Sequence, residues 1–276
     1  MKLKPILLRA VMLVVTALYG LPLYMALVNV FKSQEQILQN PIDLPAPFTL
    51  ENLLNVISRP DNLVMKGLLT STILVVVSVL FIVIFSSAIG YYIARHNTRM
   101  SKVLQVLFMA GLMIPGQLYL ISIVQIFRGL HLIGSFYALL LVFIGGGLLS
   151  FAVFVYSGFI KNVPRELEEA ATIDGASKFQ VFWKILFPLL RPATATVTIF
   201  LTLWIWNEFL MPLVLLGPGQ GTTITLGVYT ALGQVYSINY GQMFSMMFIA
   251  TVPMLIFYFV FQKEFIAGLV GGALKG

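Results

Sequence analysis

Cysteine is absent from this 276-residue chain, which excludes disulfides, thiolate nucleophiles and Cys-ligated metals. Charge is nearly as scarce. Asp, Glu, Lys and Arg make up only 10% of the residues, against about 25% in ordinary soluble domains. So few charges cannot cover the surface of a water-soluble monomer, and a mean hydropathy of +0.95 agrees. A soluble enzyme, a disordered chain and a nucleic-acid binder are all excluded. Of the two histidines, neither His96 nor His131 has a second ligand at helical spacing, and no His, Asp or Glu cluster shows metal-ligand spacing, so no metal site is expected. The chain also lacks a G-x-x-x-x-G-K-[ST] loop for ATP phosphates. No catalytic acid/base pair stands out, and the chain is not read as an enzyme.

What the sequence has is apolar length, with 59% hydrophobic residues. A membrane-spanning helix needs about 20 mostly apolar residues. Six stretches qualify, at approximately 6–31, 67–94, 103–127, 132–160, 192–216 and 241–262. The runs are continuous rather than alternating, which excludes a β-barrel. The first follows Lys2, Lys4 and Arg9 as a signal peptide would, but it continues to Phe31 with no small-residue cleavage pattern, so it reads as a retained anchor. The expected fold is all-α, a single polytopic membrane domain over residues 1–276 with six transmembrane helices.

Orientation follows from the 17 Lys and Arg residues. If the N-terminus is inside, only Lys32, Arg59, Lys66 and Arg128 fall outside, and the other thirteen of the 17 face inward. The positive-inside rule then places both termini in the cytoplasm. The net charge of +7 faces anionic lipid and a cytoplasmic partner, not nucleic acid.

The outer segment at 32–66 contains Pro41, Pro45, Pro47 and Pro60, and a short amphipathic run with Leu50, Leu53, Leu54 and Ile57 at helical spacing. Thr49 is expected to cap that helix and Glu51 to favour its first turn. The segment reads as an interfacial helix on the outer surface.

The inner loop at 161–191 is the most polar stretch. Asn162 or Val163 stands where a cap would fall, Pro164 suits a first helical position, and Glu166, Glu168 and Glu169 crowd the first turn. Gly175 ends this helix as a left-handed residue. Ser177 and Gln180 form a capping-box pattern for a second helix, with Phe179, Phe182, Trp183 and Leu186 on one face. A helical hairpin outside the bilayer, rich in alanine and aromatics, has surface to bury. Three acids argue against an anionic membrane surface and for a protein groove with a basic rim.

Glu169-Ala170-Ala171, then Asp174-Gly175-Ala176, then Phe182, Ile185 and Pro188, resemble the EAA motif of permease subunits of bacterial ABC importers. The string ELEEAATIDGA with FWKILFPLLRP is similar to the carbohydrate-uptake branch, relatives of the smaller permease of the maltose transporter. Trp206-Asn207-Glu208-Phe209 resembles the Trp-Asn-acidic-Phe element of the fifth span, and Gly268-Leu269 through Lys275-Gly276 resembles the subfamily's tail. Phe187 departs from the usual leucine before the proline, and Val270-Gly271 from the commoner Thr-Ala.

The resemblance implies a type I ABC importer transmembrane architecture in the bacterial cytoplasmic (inner) membrane. Residues 161–191 would be the coupling loop, with Glu169, Ala170, Ala171, Asp174, Gly175, Ala176 and Pro188 facing a cytoplasmic ATPase. Residues 263–276 would be a cytoplasmic tail reaching the same partner through Gly268, Leu269, Lys275 and Gly276. Expected partners are a homologous second permease, two ATPase subunits, an extracytoplasmic solute-binding protein, a sugar and membrane lipid. This chain would bind no cofactor, with ATP and Mg held by the ATPase.

Substrate-pathway candidates are Asn207, Glu208 and Phe209, with Tyr91, Tyr92, Phe154, Tyr156, Tyr229 and Tyr236 as further aromatics for sugar stacking. Glu208 lies about 16 residues into the fifth span, roughly 24 Å along a helix. It is read as bonding broken backbone at 207–212 rather than relaying protons. Gly145, Gly146, Gly147 and Ser150 suit close helix contact, either with the second permease or within the chain. Alternatives are a permease for another small polar solute, or a secondary transporter, which ordinarily needs intramembrane ionisable groups that this chain barely has.

Overall fold

The structure, a computed structural model, describes residues 3–216, 221–231 and 238–273. In chain order the helices are α1 (Leu3–Asn29), α2 (Gln34–Gln39), α3 (Glu51–Ile57), α4 (Leu63–Arg95), α5 (Arg99–Met113), α6 (Leu120–Gly129, entered by a 3-10 turn at Gly116–Tyr119) and α7 (Phe136–Gly145). Then come α8 (Gly147–Lys161), α9 (Glu166–Ile173), α10 (Lys178–Leu189), α11 (Arg191–Asn207), α12 (Leu210–Leu216), α13 (Ile224–Ala231) and α14 (Tyr240–Ala273). No strand occurs among the described residues.

Four helical segments are long and apolar enough to cross a membrane: Leu7–Asn29, Leu63–Arg95, Phe136–Lys161 and Tyr240–Glu264. Two bent pairs raise this to as many as six if each pair is one span. The stretch expected at 103–127 is therefore not one straight helix. It breaks after Met113 and turns by 94°. Pro115 explains the break: it disfavours helical backbone at the residue before it, and Ile114 is extended (φ −90°, ψ 111°). The stretch expected at 192–216 also breaks, between α11 and α12, and α10 meets α11 at 73°. Within 132–160, Gly146 interrupts the helix in extended backbone. The last helix runs past the expected 262 to Ala273.

The chain divides into two compact units. The first comprises described residues within Met1–Leu68 and Thr223–Leu255. A Ser33–Gln36 capping box starts α2. Gln34 ties it across the unit, donating to Ile238 O at 3.0 Å and accepting from Gly241 N at 3.3 Å. Asn52 donates to Lys32 O at 2.6 Å. Gly241 approaches Asn52 so closely that a Cβ there would run into the amide. Lys32 is buried and donates to Asn40 O at 3.0 Å; burial pushes its pKa below the ordinary lysine value, with Asp43 pulling the other way. Val56, Val64 and Met246 form the apolar centre.

The outer amphipathic run folds as a short helix, as expected. Asn52 and Val56 are buried on α3, while Leu50, Leu54 and Ile57 stay exposed. Leu50, not Thr49, holds the cap position; Thr49 Oγ1 instead accepts from Glu51 N at 3.1 Å in a local turn. Asp61 accepts from Leu63 N at 3.1 Å at the start of α4 and pairs with Arg59 at 2.7 Å, which holds its carboxyl down to about 2.

The second unit comprises described residues within Leu69–Thr222 and Ile256–Gly276. Small residues set its closest helix approaches. A Cβ on Gly111 of α5 would run into Ser150 Oγ of α8, and Gly147 lies near Gly111 O. Ser150 is buried. Two of the small residues noted in the sequence, Gly147 and Ser150, thus pack inside this chain. At Gly90 of α4 an added Cβ would lie 2.9 Å from Tyr156 Cβ and 3.0 Å from Ser157 N of α8. Backbone amide atoms cannot swing aside as a flexible side chain can. Gly90→Val should therefore force α4 and α8 apart and destabilise the protein by about 1–3 kcal/mol, read as a lower thermal transition of the purified protein. An unchanged transition would contradict the close approach.

Candidate functional site

Two places in the second unit carry candidate function, the hairpin α9–α10 and a cavity between broken helices.

The hairpin starts with three acids in the first turn of α9, where the helix dipole favours them. The helix begins later than expected: Arg165 holds the cap position, and Asn162 and Pro164 lie before the first turn. Its end follows the sequence. Gly175 has φ +83°, and the paired bonds from Gly175 N to Thr172 O (3.1 Å) and Ala176 N to Ala171 O (2.9 Å) form a Schellman motif that uses carbonyls left open by the helix end. The Ser177–Gln180 capping box then starts α10, with bonds of 3.3 Å and 2.8 Å.

α10 is not uniformly α-helical. Residues Val181–Leu186 form a π-helical turn, which fits an extra residue into the winding and rotates the next turn of helix. The buried side chains are Val181, Phe182 and Leu186, and Phe179 is left 72% exposed. Phe179 thus drops out of the four-residue face expected at 179, 182, 183 and 186.

Of the expected coupling residues, Glu169, Ala170, Asp174, Gly175 and Pro188 are exposed, Ala176 is half-buried and Ala171 is buried. Ile173, 86% exposed, stands between them. The outward side of the hairpin is thus a small-residue and acidic ridge flanked by Ile173 and Phe179. Gly268 and Leu269 lie along α14, while Lys275 and Gly276 fall outside the described residues.

Sequence reasoning missed the inward side. Glu168 is held by Arg95 Nε at 2.6 Å and Tyr91 Oη at 2.9 Å, both from α4. The partners lie 73 and 77 positions apart, beyond any local pattern. The available signal was a basic residue ending the second apolar run and three glutamates opening the polar loop at 161–191.

The cavity, about 740 Å³, is lined by Gln117, Tyr119, Phe143, Phe151, Trp204, Asn207 and Glu208, among others. Three helix interruptions meet there. Ile114 and Gly116 flank the first, Gly147 follows the second, and Asn207, Glu208 and Leu210 frame the third. Phe151 packs edge-on against Trp204 at 4.8 Å and Phe200 at 5.7 Å. Asn207 donates to Leu203 O at 2.8 Å, a bond that engages its amide nitrogen and not its carbonyl oxygen. Glu208 Oε1 accepts from Leu210 N at 2.9 Å and Met211 N at 3.1 Å. The carboxylate thus supplies the amides that the break between α11 and α12 would strand.

Phe209 lies in the break but does not line the cavity. Other aromatics singled out from the sequence have other neighbours. Tyr156 is buried and bonds Thr194 at 2.9 Å, Tyr92 stacks on His96, Tyr91 bonds Glu168, and Phe154 and Tyr229 are exposed. Tyr236 is outside the described residues.

The chain belongs to the family described as binding-protein-dependent transport system inner membrane component, whose profile matches residues 86–267. It is similar to the probable starch degradation products transport system permease protein AmyC of Thermoanaerobacterium thermosulfurigenes, 32% identical with 95% of this chain and 94% of the relative covered. It is also similar to the multiple sugar-binding transport system permease protein MsmG of Streptococcus mutans, 33% identical with 92% and 91% covered. In fold it resembles a chain of a bacterial ABC transporter that imports the acidic polysaccharide alginate, with a TM-score of 0.85 at 19% identity over 95% of this chain and 96% of that one. The protein is a multi-pass inner-membrane permease subunit of an ABC importer, not an enzyme.

Glu208 generates a test. Glu208→Gln keeps an acceptor for the Leu210 and Met211 amides and should preserve stability and transport. Glu208→Ala should cost about 0.5–2 kcal/mol, the range for a lost capping acceptor, read by thermal unfolding. If Glu208→Gln abolishes uptake while stability holds, the side chain serves as more than a brace for backbone.

Proposed function

We propose that this chain translocates a sugar or oligosaccharide inward, as one of two homologous permeases in an ATP-driven, binding-protein-dependent importer. It crosses the membrane six times with both termini in the cytoplasm: α5 with α6 make one bent span and α11 with α12 another, while α10 stays on the cytoplasmic side. Two ATPase subunits hold ATP and Mg and receive the hairpin α9–α10. An extracytoplasmic binding protein delivers the solute. ATP binding closes the ATPase dimer and favours the outward-facing state, and hydrolysis returns the spans to the inward-facing one. The equilibrium moves only because ATP binds the two states with different affinity.

The observation that carries this reading is the exposed ridge of Glu169, Ala170 and Asp174, flanked by Ile173 at 86% exposure. An acidic edge beside a bare apolar side chain fits a groove with a basic rim and a hydrophobic floor. A sugar is supported by the transport named for AmyC and MsmG and by the lining of the cavity. Aromatic faces at Trp204, Phe151 and Tyr119 suit the apolar faces of sugar rings, and Gln117 and Asn207 offer uncharged hydrogen-bonding groups. At about 740 Å³ the space falls within the usual range for small-molecule sites, about 300–1,000 Å³.

The test is charge reversal at Glu169. Its carboxylate is exposed, so Glu169→Lys should lower the stability of the chain by only about 0.3–1 kcal/mol through the helix dipole. In the groove it replaces an attractive pair with a repulsive one. The variant should lose solute-stimulated ATP hydrolysis and uptake in proteoliposomes, and an acidic replacement on the groove of the ATPase should restore both. Full stimulated hydrolysis and normal uptake by Glu169→Lys would remove the hairpin from the coupling role at that residue. Topology is checked separately: reporters fused at Lys263 or within 95–102 should be cytoplasmic and one within 40–60 should be outside, and an exterior signal from 161–191 would overturn the layout.

A further inference from the structure

Adjacent glutamates on α9 have opposite surroundings. Successive residues of a helix point about 100° apart, so an exposed Glu169 leaves Glu168 turned toward the membrane domain. Both oxygens of Glu168 are engaged there. Oε1 accepts from Arg95 Nε at 2.6 Å, with Arg95 Nη2 in ion-pair range at 2.6 Å, and Oε2 accepts from Tyr91 Oη at 2.9 Å. Tyr91 and Arg95 are four residues apart and share one face of α4. The pair is well shielded, with side-chain exposures of 8% for Arg95 and 14% for Glu168.

Two further bonds interlock the same ends. Arg95 Nη2 donates to Val163 O at 2.9 Å, and Arg165 Nη2 donates back to Arg95 O at 3.3 Å. The Tyr91 ring also lies 5.3 Å from the ring of Phe182 in α10, so one turn of α4 touches both arms of the hairpin.

This polar cluster ties α9 to α4. Ala171 is the one buried residue of that helix, and a methyl group gives little apolar grip. Behind the cluster, α4 cannot easily slide, because Gly90 brings its backbone against Tyr156 and Ser157 of α8. A push on the outer ridge of α9 therefore reaches the membrane domain through Glu168.

We propose that Tyr91, Arg95 and Glu168 form the joint that passes movement of the hairpin to α4. They act as positioning residues: they contact neither the solute cavity nor the exposed ridge. The inference rests on the coupling role proposed for the hairpin. A charge-assisted, multiply bonded contact suits the role because its geometry is directional, whereas apolar packing tolerates slippage.

The experiment uses the complete transporter in proteoliposomes and reads solute imported per ATP hydrolysed, with ATPase retention measured on the same preparation. Arg95→Gln and Glu168→Gln should each retain the ATPase while the ratio falls about tenfold, within the usual range of coupling between sites. Tyr91→Phe should give a smaller fall in the same direction. The swapped pair, Arg95→Glu with Glu168→Arg, should regain most of the loss. Wild-type ratios in both single variants would overturn the joint. So would loss of the ATPase in step with transport and no recovery in the swap, which is the pattern of a merely structural contact. If a single variant fails to accumulate, the swap decides, since a swapped protein that accumulates but stays uncoupled also overturns the proposal. A wild-type protein that captures no ATPase sinks the coupling reading and the joint together, whereas variants that couple as well as wild type sink the joint alone.

Discussion

In a bilayer core, an amide or carbonyl that leaves the helical ladder finds no water to replace its partner. Everything unusual in this structure has to satisfy that constraint. At Pro115 the difficulty is reduced because proline has no N–H to strand. At Gly146 a residue without a side chain takes the extended backbone. Between α11 and α12 the carboxylate of Glu208 accepts from two amides. Each interruption is thereby tolerated, and together they open a cavity whose walls include backbone as well as aromatic rings. Irregular backbone at membrane depth is tolerated where protein buries it or where it lines a cavity, and three interruptions converge on one such space here.

The hairpin solves a different problem, that of one short helix facing two ways. Eight residues of α9 present small and acidic side chains outward while Glu168 grips α4. Short length makes this possible, since a longer helix would carry more apolar surface and sink into the domain. The Schellman end at Gly175 and the capping box at Ser177 fix the angle between the arms without needing a partner.

Local features were legible in the sequence where the controlling residues are neighbours. Gly175 and the Ser177–Gln180 pair were readable because a positive φ and a capping box are short-range chemistry. The long apolar runs announced a membrane protein. The break around Glu208 was read from its motif, but hydropathy is blind to the one at Gly146, and Pro115 was the sign of the 94° turn. The π turn at 181–186 was not legible, because Phe179, Phe182, Trp183 and Leu186 also satisfy ordinary α-helical spacing. On α3 the burial of Asn52, through its bond to Lys32 O and the close approach of Gly241, was not legible in the apolar pattern. The pairing of Glu168 with Arg95 depends on how distant helices meet, which no window of sequence contains. In the cavity, Asn207 and Glu208 were visible from their motif, but Tyr119, Phe143, Phe151 and Trp204 come together only through folding.

The bare Ile173 and Phe179 also bear on how the protein is made. In a chain that has not met the partner proposed for the hairpin, nothing within the chain covers these two side chains, 86% and 72% exposed. Molecules produced in surplus would carry an adhesive spot on the face proposed to meet the crowded cytoplasm.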